Sequence, residues 1–301
     1  VTQGADVEIA ECVSDADLED WRTVRLSVAP GERCMSVPEL RAAASPRRLM
    51  VLARRDGVVV GSGLADDSDT EGAGFVVPRV MAAHRRTGVG SALLDVLATH
   101  CVGLGHPEVV SGVDDEGSLA FATRFGFAEV DREVEQTVTV GEEPEPPAPA
   151  GVEVVTLAER PELWDTCYDG FGTEVLADFA VHTPLVISAE QWSTTWRGDP
   201  MFLALDAGEV IGCAGLRLDP DHPDRAENTL TAVRRDHRGR GIAVHLKRLA
   251  LHWAASHGVT TVSTWTQVGN TPMTTLNERL GYVTTQVSIT VSRTLPMSTN
   301  A

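Results

Sequence analysis

The 301 residues are 43% hydrophobic, 23% charged and 5% aromatic, enough chain for about two globular domains. A formal charge of −18 argues against a nucleic-acid or anionic-lipid partner, and no apolar run approaches the ~18–20 residues that a membrane span needs. Five scattered cysteines, at 12, 34, 101, 167 and 213, support neither a disulfide framework nor a metal cluster, and with no apolar leader in the first thirty residues they suit a reducing cytoplasm.

The chain opens with a short strand at Val7-Glu-Ile and a helical stretch from Asp15 to about Val28. Two apolar runs follow, joined by a turn at Asp56-Gly57, and then a strand from Gly74 to Val80. His84-Arg-Arg-Thr-Gly-Val-Gly-Ser opens a long amphipathic helix, and a shorter stretch from Asp115 ends at Gly126-Phe127. Residues 141–151, with four prolines and three glutamates, read as an exposed, extended linker between a first domain at 1–140 and a second at 152–301. The order then repeats. Val152-Glu-Val-Val starts a strand, Ala158 to about Phe171 a helix, and an insertion from Glu174 to Trp196 precedes the next apolar runs, which turn at Ala207-Gly208. A strand from Asn228 to Val233 leads into His237-Arg-Gly-Arg-Gly-Ile-Ala-Val-His, and a helix runs to Gly258. Gly57 to Gly208 and Gly88 to Gly239 are each 151 residues apart, and Gly126 to Gly281 is 155, so the chain is an internal duplication.

Glycines at a strand-to-helix turn let backbone N–H groups face a concavity, and the helix dipole adds positive charge there, which together make a cradle for a diphosphate. Arg85, Arg86, Arg238 and Arg240 stand beside these turns. Neither copy is a P-loop or a dinucleotide-binding fingerprint, because the lysine of the one and the third small residue of the other are missing.

The pattern Arg85-x-x-Gly88-x-Gly90 resembles the acetyl-CoA loop of the GCN5-related N-acetyltransferase (GNAT) superfamily. Set with Gly239 against Gly88, the second copy has Asp236 where that pattern has Gln or Arg. The resemblance extends to Asn270, eleven residues before Gly281-Tyr282, and to Asp115 before Gly126-Phe127. It implies an α/β (α+β) chain of two tandem GNAT-like domains, each a mixed, mostly antiparallel sheet flanked by helices. It also implies acetyl-CoA as cofactor, held by Val80, Arg85, Arg86, Thr87, Gly88, Val89, Gly90 and Ser91 in the first domain. In the second the matching set is Val233, Arg238, Gly239, Arg240, Gly241, Ile242, Ala243 and Asn270.

The implied reaction transfers an acetyl group directly to a primary amine of a small cationic metabolite or antibiotic, with the protein a monomer or homodimer. Its alternatives are another acyl-CoA, or an idle acyl-CoA sensor. The family's base is a carboxylate on or near the fourth strand, here Glu227, with Glu71 in the similar place of the first half and His182, His222 and His237 as other proton acceptors. The Tyr that many members place four residues before the final Gly is Asn277 here and Ala122 in the first copy, which leaves Asn277 and Tyr282 as candidates beside the leaving sulfur. The second half, with Asn270 and the insertion, is the one expected to act. Lys247, the single lysine, suggests no chemistry.

Overall fold

The computed structural model describes residues 2–4, 7–70, 72–179 and 187–297. The first half runs β1 (Thr2–Gly4), β2 (Val7–Glu11), α1 (Asp15–Val28), α2 (Val37–Ala42), β3 (Leu49–Arg55), β4 (Val58–Asp67), β5 (Ala73–Val80), α3 (Val89–Gly103), β6 (Glu108–Val113), α4 (Glu116–Arg124) and β7 (Ala128–Thr139). The second runs β8 (Glu153–Thr156), α5 (Glu162–Thr166), a π-helical turn (Tyr168–Gly172), α6 (Thr173–Phe179), α7 (Ala189–Thr195), β9 (Met201–Asp206) and β10 (Glu209–Leu218). It continues with β11 (Arg225–Val233), α8 (Ile242–Ser256), β12 (Thr261–Gln267), α9 (Thr271–Arg279) and β13 (Val283–Thr294).

Local chemistry explains the helix ends. Ser14 accepts from the Asp17 backbone while the Asp17 carboxylate reaches back to the Ser14 N–H, and Ser36 with Glu39 and Ser188 with Gln191 repeat this box. Asp115 and Asn270 cap α4 and α9 in the same way as acceptors.

The compact units are not the two sequence halves. Unit 1 is residues 1–131 with 289–301, and unit 2 is residues 132–288. In unit 1 the end of β13 pairs antiparallel with β6, Ile289 against Val113, and in unit 2 the end of β7 pairs antiparallel with β12, Thr139 against Thr261. Each half thus gives the tail of its last strand to the sheet of the other. The pairing joins residues over a hundred positions apart, which no local sequence signal marks. The stretch 141–149 has no regular structure and is mostly exposed, as read from its prolines, and the Glu143 carbonyl lies 2.6 Å from His252 Nδ1 on α8.

Each unit is a mixed, mostly antiparallel sheet flanked by helices. In unit 1 the strands from β1 to β5 pair antiparallel in order, and only β5–β6 is parallel. Leu93 and Leu97 of α3 cover one face, where Gly61 and Gly63 of β4 let the helix approach, and Leu18 and Trp21 of α1 cover the other. Unit 2 runs β8-β9-β10-β11-β12-β7, with β11–β12 its parallel pair. Ile242, Leu246, Ala250 and Ala254 of α8 pack on one face. Trp164 and Trp192 fill the other, with ring centroids 4.4 Å apart, and each indole N–H donates to the other's carbonyl at 2.9 and 3.0 Å. The tryptophans of the 174–196 insertion therefore include a core residue, Trp192, whose truncation to Ala costs about 3–5 kcal/mol.

Candidate functional site

In unit 2 the parallel pair β11–β12 holds only from Arg225–Glu227 to Thr261–Ser263. Beyond it β11 stays with β10 and β12 with β7, so the two strands part. A bulge sits where they part: Ala214 faces Thr231 and Leu216 faces Asn228, so Thr229 and Leu230 together oppose Gly215. A bulge leaves backbone polar groups outside the ladder and re-aims the strand. The hydroxyls of Thr229 and Thr231 are buried there without a hydrogen-bond partner. Glu227 is half-buried at the joined end of the opening, and six residues of strand, about 20 Å at ~3.3 Å each, separate it from Val233 at the loop end. Sequence reasoning placed Val233 among the residues that hold the cofactor and missed the bulge, since a bulge is a fact of strand pairing.

The loop between β11 and α8 starts with a tight turn at Arg235–His237, and Arg238 Nε donates to the Val233 carbonyl at 3.0 Å. Gly239 (φ 76°) and Gly241 (φ 79°) are left-handed, and Gly241 caps α8 without any side-chain acceptor, so the first-turn N–H groups of α8 are left for a ligand. In unit 1, Arg85 Nε donates to the Val80 carbonyl at 3.2 Å, Arg86 is left-handed (φ 61°), and Gly88 (φ 88°) caps α3. Arg85 therefore matches Arg238, Gly88 matches Gly241 and Val80 matches Val233, all 153 residues apart. This corrects the sequence register by two. The second motif is Arg238-x-x-Gly241-x-Ala243, with the expected Arg in place, and Asp236 is no departure. The 151-residue spacing holds for the Asp56-Gly57 and Ala207-Gly208 turns, and the stretch between β10 and β11 is longer in unit 2.

The arginines of the unit 2 loop already have carboxylates. Arg235 and Arg238 both bind Asp178 of α6, the Arg235 N–H donates to Glu174 at 2.6 Å, and Arg240 lies 3.6 Å from Asp206. His237 sits between Asp236 at 2.6 Å and Asp206 at 3.1 Å. The Arg235 hydrogen bonds hold Asp178 below the usual carboxylate range, and His237 does the same for Asp236. Among the described residues Arg85 and Arg86 form no ion pair. A diphosphate seated at the unit 2 loop would compete with Asp178 for Arg238, and if acetyl-CoA binds there Asp178→Asn is expected to tighten it about two- to fivefold, read by calorimetry. Weaker binding would instead make Asp178 the support that aims Arg238.

Asn277 and Tyr282, the candidates beside the leaving sulfur, are core residues. Asn277 is fully buried: its Nδ2 donates to Gln136 Oε1 at 2.9 Å and to Thr266 Oγ1 at 3.3 Å, and its Oδ1 accepts from Lys247 Nζ at 2.6 Å. Tyr282 is 2% exposed, its hydroxyl donates to Asn228 Oδ1 at 2.6 Å, and burial raises its pKa. Neither presents a proton to a ligand sulfur, because both amide and phenol are spent inside the fold. Asn270 accepts from the Met273 N–H at 3.2 Å, so its carbonyl serves the helix end. The His222 N–H donates to Asp219 at 3.3 Å in a turn. Glu71 and His182 lie outside the described residues. Burial pushes the thiols of Cys12 and Cys167 up to about 12 and that of Cys101 to about 11, which keeps them protonated and poor nucleophiles.

Unit 1 shares the loop but not the rest. Its parallel pair also ends after three residues, Ala73–Phe75 against Glu108–Val110, yet β4–β5 runs without a bulge from Gly61–Val80 to Asp67–Gly74. Phe75 occupies the register cell of Glu227, so among the described residues unit 1 has no carboxylate at this strand position. Among the described residues no cluster of metal ligands occurs, and no helix is long and apolar enough to cross a membrane.

The family model described as Acetyltransferase (GNAT) family matches residues 15–127 and again 162–282. A mycothiol acetyltransferase of Saccharomonospora viridis is 24% identical over 231 residues, 70% of this chain and 71% of its own length. That of Corynebacterium glutamicum is 23% identical over 232 residues, 74% and 75% of the two chains. A solved tandem GNAT protein from the clavulanic acid biosynthesis pathway superposes with a TM-score of 0.75 at 19% identity, covering 96% of this chain and 98% of that one. A GCN5-related N-acetyltransferase from Sphaerobacter thermophilus gives 0.73 at 19%, covering 97% of each.

Proposed function

The chain belongs to the acetyltransferase (GNAT) family, whose co-substrate is acetyl-CoA, and on that premise we propose that unit 2 transfers the acetyl group to a primary amine of a small, cationic acceptor. The observation that carries this reading is the coincidence, in unit 2 alone, of parted strands, a bulge with two unpartnered hydroxyls, and a carboxylate at their joined end. The N–H groups from Gly239 to Ala243 hold the diphosphate, and backbone donors at the Thr229–Leu230 bulge polarise the thioester carbonyl. Glu227 takes the ammonium proton, directly or through water. The leaving thiolate, with a pKa near ~8.5, takes its proton from water, since neither Tyr282 nor Asn277 is available. The net charge of −18 favours a cationic acceptor, and the name of the two relatives favours a small molecule over a protein.

The test is release of CoA thiol with polyamines, aminoglycosides and amino sugars, run with acetyl-CoA beside longer acyl-CoA thioesters. Turnover with an amine supports the reading, while tight binding without turnover would make the chain an acyl-CoA sensor. Glu227→Gln is expected to lower kcat about 10²- to 10⁴-fold with little change in acetyl-CoA affinity. The loss should be deepest at low pH, where the free amine is scarcest, and a pH–rate profile parallel to wild type would remove Glu227 as base.

A further inference from the structure

On the α1 face of the unit 1 sheet, Ser62 of β4 stands directly opposite Arg79 of β5. Paired residues share a face, with Cβ atoms about 5 Å apart. Their neighbours Gly61 and Val80 turn toward α3, where Val89 lines the other side. Ser62 is fully buried and its hydroxyl has no partner. The Arg79 guanidinium makes no ion pair among the described residues, and its Nη1 is sealed from solvent without an acceptor. It lies over the Trp21 ring at 5.7 Å, and Trp21 is itself fixed by donating its indole N–H to the Gly63 carbonyl at 3.0 Å. One turn along α1, Arg25 pairs with Glu32 through one nitrogen and leaves its buried Nη1 unpartnered as well.

Buried polar atoms are almost always hydrogen-bonded, and a buried charge is almost always matched. Three orphans in one small region, two of them on guanidinium groups, therefore need one explanation. Burial first, and the Arg25 charge second, pull the pKa of Arg79 down to about 9. An arginine side chain keeps its proton in a protein, so Arg79 stays charged here, with the Glu32 and Asp114 carboxylates acting on it favourably but forming no ion pair with it. Unit 2 supplies the control. There the same register cell is Cys213 opposite Ala232, an apolar pair inside a packed core. The fold needs no polar pair at this position, and unit 1 has installed a cation and a hydroxyl where unit 2 has neither.

We propose that unit 1 holds the carboxylate of a small organic acid on its α1 face, with Arg79, Arg25 and Ser62 as the donors and the Trp21 ring as the apolar wall. Arg25 already carries Glu32, which leaves about one uncompensated positive charge and matches a monoanion better than a phosphate. The planar guanidinium also meets a carboxylate with two parallel hydrogen bonds. This site is separate from the acyl-transfer reading, and it makes unit 1 a binding unit beside the reacting one.

The test is calorimetric titration of the full chain with benzoate, succinate and inorganic phosphate at low ionic strength, without acyl-CoA. The expected result is one carboxylate site per chain, tighter than phosphate, lost by about tenfold or more in Arg79→Leu. That variant is expected to melt no lower than wild type without ligand, because it removes an uncompensated charge. Ser62→Cys with Arg79→Ala, which copies the pair that unit 2 already packs, should lose the same binding in a folded chain. No carboxylate binding at tens of millimolar, phosphate preferred over both acids, or binding that survives either variant would overturn the proposal. Acetyl-CoA affinity, measured on the same samples, reports the acyl-transfer site independently.

Discussion

Gly241→Val is expected to lower acetyl-CoA affinity at unit 2 by about a hundredfold or more. Gly241 caps α8 at φ 79°, a backbone state that costs an L-residue about 1–2 kcal/mol and a β-branched one more. An added Cβ meets no atom of the protein within 4 Å, so the fold itself is not crowded. The side chain instead fills the concavity onto which the first-turn N–H groups of α8 open. Loss of two charge-assisted hydrogen bonds at ~1.5–3 kcal/mol each accounts for the size of the effect. Calorimetry on the variant checks it, with Gly88→Val as the unit 1 counterpart. Two independent losses would show two competent loops, whereas unchanged affinity in both would sink the loop assignment.

The second large effect is on stability. Lys247 is 1% exposed, donates to Asn277 Oδ1, lies 4.8 Å from the Tyr282 ring and has no carboxylate partner among the described residues. Burial pulls its pKa from 10.5 down to about 7. Between these values the unfolded chain binds a proton that the folded chain does not, so stability rises with pH, at up to about 1.4 kcal/mol per unit. Cys12, Cys101, Cys167 and Cys213 are shifted the other way by burial and make stability fall above about pH 9, which confines the rise to roughly pH 7–8.5. Lys247→Met should flatten this rise. At pH 7 it should also stabilise the protein by about 2 kcal/mol, since the buried-charge penalty outweighs the ~1–3 kcal/mol of leaving Asn277 Oδ1 without its donor. Denaturant unfolding at pH 7.0 and 8.5 measures both. A wild type with no rise over that interval would contradict the buried neutral amine.

Lys247 also marks the limit of sequence reading. Its helical spacing put it on α8, but nothing nearby in sequence says that Asn277, thirty residues on, accepts from it, or that Asn277 in turn donates to Gln136, over a hundred residues back. The same network removes Asn277 from the chemistry. The spacing that places Asn277 four residues before Gly281 is local, while the face it turns to the core depends on β7 and β12.

The residues alone determined the duplication, the order of the principal strands and helices, the extended proline stretch at 141–149 and both glycine turns. Each of these rests on signals within a few residues: apolar period, cap chemistry and left-handed glycine. The tertiary structure alone decided the exchange of the ends of β7 and β13, the true register of the second loop, the bulge at Thr229–Leu230 and the Arg79–Ser62 pair. These are set by which strand lies beside which. Strand pairing joins backbone groups far apart in the chain, and whether a polar side chain faces water, a ligand or the core follows from that pairing.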